Sequence, residues 1–170
     1  MLDLLAKYQT FLVGLLGFTG VIITMVVNAK TQRDLQARQR QHEAQSVRTA
    51  LRVELKANVE MYEHRIKDFS RSDGDRDAIL PSTVVNRVYQ TLLPEIGLLS
   101  VEEVELVHRA YLLLEEMPYR LRLLVGTDGV GGLNDEFIRI DTSRQQVAGE
   151  IHNALLPSVR KALSALEDNA

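Results

Sequence analysis

Four histidines, a cluster of acids and two glycine-rich stretches are the residues of this chain with chemical potential. Glu105-Leu-Val-His108 has Glu-x-x-His spacing, which sets a carboxylate and an imidazole on one face of a helix. Bundles that hold two metal ions use a pair of such motifs plus two further Glu, all facing inward. Here the motif occurs once, and Glu60 with His64, four residues apart, completes it only in part. His108 lies close to apolar positions, so an interhelical hydrogen bond is its expected role. His42, His64 and His152 fall in separate segments. Nucleophilic catalysis finds no support, because the chain has no Cys and no G-x-S-x-G elbow. The stretch from Gly126 to Gly132 lacks the Lys and the preceding strand of a phosphate loop, and reads as an inter-helix connection. Glu102, Glu103 and Glu105 sit in the first turn of an expected helix, where negative charge complements the helix dipole. The expectation is a non-enzymatic protein without metal, cofactor or small-molecule substrate.

The elements that must carry these residues begin with an apolar one. Tyr8 to Ala29 are 22 residues without a charge. As a helix they reach about 33 Å, near the thickness of a bilayer's hydrocarbon core. Val27-Asn28-Ala29 resembles a signal-peptide cleavage site. The long apolar run and the basic flank that follows fit a retained transmembrane helix better. Within it, Thr10, Gly14, Gly17, Val21, Thr24 and Asn28 step by four and three along one face, with Gly20 beside them. Small residues let membrane helices approach closely, so this stripe is the expected packing face for a second membrane helix, from another protein or another copy.

Charge then sets the expected orientation. Seven Lys or Arg stand between Lys30 and Lys56 against three acids. The positive-inside rule places the C-terminal bulk in the cytoplasm and the short N-terminus outside the inner membrane. Lys30, Arg33, Arg38 and Arg40 are candidate contacts to anionic lipid, at about 1 kcal/mol per well-placed cation. The positive-inside signal alone also accounts for them. Residues 30–68 hold nine bases and six acids, whereas residues 69–170 hold ten bases and sixteen acids. With so acidic a remainder and only 5% aromatic residues, nucleic acid is not an expected partner.

Three regions follow: residues 1–29, tail and membrane helix; 30–46, a basic polar helical stalk; 47–170, a cytoplasmic antiparallel bundle of about four helices. The fold class is all-α. Val47, Leu51, Leu55, Val59, Tyr62, Ile66 and Phe69 mark the first bundle helix by steps of three and four. Pro81 is expected to open a second helix, with Val84, Val85, Val88, Tyr89, Leu92 and Leu93 buried. Pro94 and Gly97 break it. Ser100 and Glu103 form a capping box for a third helix that buries Val101, Val104, Val107, Tyr111, Leu114, Leu121 and Leu124, with a kink at Pro118. A fourth helix, capped by Asn134 or Asp135, carries Phe137, Ile140, Val147, Ile151, Leu155, Val159, Leu163 and Leu166. Pro157 is expected to bend or divide it. No strand pattern is evident.

Residues 84–116, VVNRVYQTLLPEIGLLSVEEVELVHRAYLLLEE, contain Val88-Tyr89, Ile96-Gly97-Leu98-Leu99 and a following helix with Val107 and Tyr111. This pattern resembles one found in small, uncharacterised bacterial membrane-anchored helical proteins. The resemblance implies a helical fold and a membrane location, and it brings no activity and no site residues. Tyr89 and Tyr111 are expected near the turn on adjacent antiparallel helices. The expected function is assembly with protein partners by a membrane-anchored bundle, as a scaffold or accessory subunit. A signalling element that transmits through the stalk is the alternative.

Overall fold

A run of 70 residues without proline, Leu2 to Arg71, forms one helix, α1. The computed structural model describes residues 2–71, 76–126 and 136–168, with side chains from Val13 onward. Three threonines in the apolar part turn their hydroxyls back on the helix. Thr19, Thr24 and Thr31 donate to the carbonyls of Leu15, Gly20 and Val27 at 2.8, 2.8 and 3.0 Å. Such bonds satisfy each hydroxyl without a partner from outside. The chain divides into two units, Met1–Glu43 and Ala44–Ala170, each described by itself. In the first, every residue from Val13 to Glu43 is exposed.

The second unit packs helices and a small sheet around one core. After the bundle part of α1 come β1 (Ala78–Pro81), α2 (Arg87–Leu92), a 3-10 turn (Leu93–Leu98) and α3 (Val101–Val125). Then follow β2 (Phe137–Ile140), a 3-10 turn (Thr142–Arg144) and α4 (Gln145–Asp168). Side-chain pairs fix the directions. Arg48 meets Glu103 and Glu54 meets Tyr111, so α1 and α3 run parallel. Phe69 meets His152 and Glu63 meets Arg160, so α1 and α4 run antiparallel. Val47, Leu51, Leu55, Val59, Tyr62 and Phe69 of α1 are buried against Val107, Tyr111, Leu114 and Leu121 of α3 and Leu155, Val159 and Leu166 of α4. At about 25 cal/mol per Å2 of apolar surface, this seam is the main stabilising term of the unit.

Several expectations are corrected. Among the described residues there are two strands, paired antiparallel with Ala78 opposite Ile140 and Leu80 opposite Ile138. Phe137 and Ile140, expected on a helix face, lie in β2, and α4 begins only at Gln145. Ile138 and Ile140 alternate inward, which is the period of a strand. Asn134 and Asp135 lie outside the described residues. Pro81 does not open a helix; it ends β1, where its missing N–H costs no ladder bond. The helix starts six residues later, leaving Val84 and Val85 before it, with Val85 exposed. Val101, Val147 and Leu93 are exposed rather than buried. Pro157 lies inside α4 and does not divide it.

Candidate functional site

Two buried carboxylates organise the second unit. Glu103 at the start of α3 is 1% exposed. Its backbone N–H donates to the Ser100 hydroxyl, and its carboxylate accepts from the Ser100 N–H at 2.7 Å, closing the expected capping box. The same carboxylate takes both ends of the Arg48 guanidinium, at 2.6 and 3.1 Å. Burial pushes its pKa up, but the bonds from Arg48 and Ser100 prevail and hold it at about 2. One side chain thus caps α3 and ties it to α1. The cap was expected; the tie to Arg48 was not.

Glu54 was not foreseen at all. It is 5% exposed in the middle of α1. Its carboxylate accepts the backbone N–H groups of Val88 and Tyr89 at 2.8 and 3.0 Å and the Tyr111 hydroxyl at 2.7 Å. It therefore caps α2 from another helix, and the Asn86 side chain is left to donate to Glu115 at 2.7 Å. Asn58, one turn on, donates to the carbonyls of Glu54 and Val85 at 3.0 and 2.8 Å. Tyr111 and Tyr89 stack with ring centres 4.0 Å apart and 9° between planes, and Tyr89 meets the His108 Nδ1 at 2.7 Å. Burial, the Glu54 bond and the charges of Glu54 and Tyr89 push the Tyr111 hydroxyl up. Burial and then Glu115 raise Tyr89. Both phenols stay protonated, and the chain Glu54–Tyr111–Tyr89–His108 acts as a clamp on α2 rather than a source of nucleophiles.

The remaining chemical residues are dispersed. Glu105, Glu60 and His64 are exposed, and His64 approaches Asp68 at 3.5 Å. Among the described residues no group of three His, Asp or Glu could hold a metal ion. His152 is fully buried between Tyr62 and Phe69, with ring centres 5.2 and 5.4 Å away, and its Nδ1 meets the Ala148 carbonyl at 2.7 Å. Burial lowers its pKa to about 4, against the Ala148 bond and with help from the charge of Arg65. Gly126 ends α3 with φ of 63°, a backbone conformation that favours glycine, while 127–132 lie outside the described residues.

Along the apolar helix, a Cβ added at Gly14, Gly17 or Gly20 would meet nothing within 4 Å, and Val21, Thr24 and Asn28 are exposed. The Thr10 side chain lies outside the described residues. Lys30, Arg33, Arg38 and Arg40 are exposed as well. A further apolar line runs along α3 opposite its buried side: Val101, Leu112, Tyr119 and Leu123 are 77, 53, 67 and 84% exposed.

Searches of protein-family models, curated proteins and solved structures find no match to this chain.

Proposed function

We propose that this chain is a single-pass membrane protein whose helical head assembles with protein partners. The observation that carries the reading is the exposure of the apolar run. A core helix of comparable hydropathy would be buried, whereas Val13, Leu16, Phe18, Ile23, Met25 and Val26 are 58–73% exposed, and no part of the spanning window is buried. Apolar side chains on every side of a helix belong in lipid.

Two surfaces serve assembly in this reading. The Gly14, Gly17, Gly20 and Val21 face has open space for a second membrane helix, and Thr24, with its hydroxyl turned to Gly20, presents only its methyl edge. The outward line of Val101, Leu112, Tyr119 and Leu123 offers the head a contact of its own. The basic flank at Lys30, Arg33, Arg38 and Arg40 supports a cytoplasmic head by the positive-inside rule, with those four residues as candidate contacts to anionic lipid. The test is chemical crosslinking in cells followed by mild detergent extraction. A partner or an oligomer should be trapped, and its yield should fall with Gly17→Ile. Monomer under every crosslinker rules the reading out.

A further inference from the structure

The groove between the end of α1 and β1 has a volume of about 400 Å3 and is lined by Arg65, Asp68, Arg71, Arg76, Asp77 and Gln145, with Phe69 and β1 as its apolar wall. Its charges are unevenly matched. Asp77 is engaged by Arg139, and the exposed Asp68 approaches His64 at 3.5 Å, a pair that is ionic only when the imidazole is protonated. Among the described residues, Arg65, Arg71 and Arg76 have no ion pair. Arg65 is half-buried, its guanidinium 5.3 Å from the centre of the Tyr62 ring. A cation taken partly out of water without a counter-ion carries an uncompensated desolvation cost. Its pKa is accordingly lowered by burial. An oxyanion with several acceptor oxygens would supply the missing charge and match the guanidinium forks.

We infer that this groove binds a phosphate group through Arg65, Arg71 and Arg76. The Gln145 side chain, which donates to the Arg76 carbonyl at 2.7 Å, holds that arginine's backbone at the rim. The site stands independently of the membrane reading.

Titration calorimetry on the full chain in neutral detergent, at constant ionic strength, tests it with inorganic phosphate. Saturable binding is expected, at least tenfold weaker in Arg65→Gln and several-fold weaker in Arg76→Gln. Arg160→Gln, which removes the distant pair to Glu63, should leave it unchanged. Without phosphate, Arg65→Gln should melt no lower than the parent, because it deletes an uncompensated charge, so loss of binding is not loss of fold. Phosphate should also raise the pKa of His152, on which the Arg65 charge acts, when followed by NMR of the imidazole. Binding of soluble glycerol phosphate would point to a free ester. Binding seen only with phosphatidylglycerol nanodiscs, and not phosphatidylcholine, would point to a lipid headgroup. Absence of saturable binding in both arms overturns the inference, as does equal weakening by Arg65→Gln and Arg160→Gln.

Discussion

At the scale of single residues, stability rests on a few polar groups that sit where sequence pattern shows only helix. Arg48 and Glu103 are 18% and 1% exposed as side chains, so removing one strands the other. Arg48→Met should cost about 3 kcal/mol, the usual consequence of leaving a buried charge unpaired. Chemical denaturation of Arg48→Met, Glu103→Gln and the double variant checks it, with the double far less destabilised than the sum. Tyr111→Phe should cost about 1–3 kcal/mol, because Glu54 loses its hydroxyl donor in a buried setting while ring stacking survives. His152 sets an acid limit. Its folded pKa of about 4 lies below the ordinary value of 6.5, so neutral imidazole favours the fold. Stability is complete above pH about 6.5 and is lost as pH falls toward 4, by about 3 kcal/mol. Replacing His152 by Leu should flatten that part of the curve. Glu103, held near 2, adds a further loss only below about pH 4.5. The Ser100–Glu103 box was legible because capping depends on near neighbours. Glu54 and Arg48 were not, because their partners lie 34 to 57 residues away and no local spacing records them.

At the scale of elements, long periodic segments declared themselves and short ones did not. α1, α3 and most of α4 follow steps of three and four over many turns, and the expected inward residues Val107, Tyr111, Leu114 and Leu155 are buried. β1 and β2 have four residues each, too few for alternation to stand out against a neighbouring helix pattern. The spacing of Phe137 and Ile140 fits a helix face, that of Ile138 and Ile140 a strand, and only pairing with Ala78–Pro81, about 60 residues distant, decides for the strand. α2 is likewise a six-residue helix that owes its start to Glu54 rather than to Pro81. Glu54→Gln should therefore loosen α2 before the rest. Amide exchange at Val88 and Tyr89 should quicken by tenfold or more, while exchange in the middle of α3 changes little. Equal acceleration throughout would show that the clamp has no local role. In the apolar helix, Gly17→Ile should weaken association and Leu16→Ile should not, by crosslinking yield in membranes. Equal effects would refute the small-residue face.

For the whole molecule, composition spoke most clearly where it was most uneven. A 22-residue uncharged run followed by seven bases against three acids carries its own reading as a membrane span with a basic flank. The candidate site was less legible, because the groove's arginines are scattered from 65 to 76 and become one feature only when α1 and β1 fold together. In the proposed arrangement residues 13–27 lie in lipid. Alkaline carbonate extraction of membranes containing the full chain tests it most directly. The chain should stay with the membrane pellet at pH 11 and leave it only with detergent. Release of the intact chain into the supernatant at alkaline pH would contradict the claim.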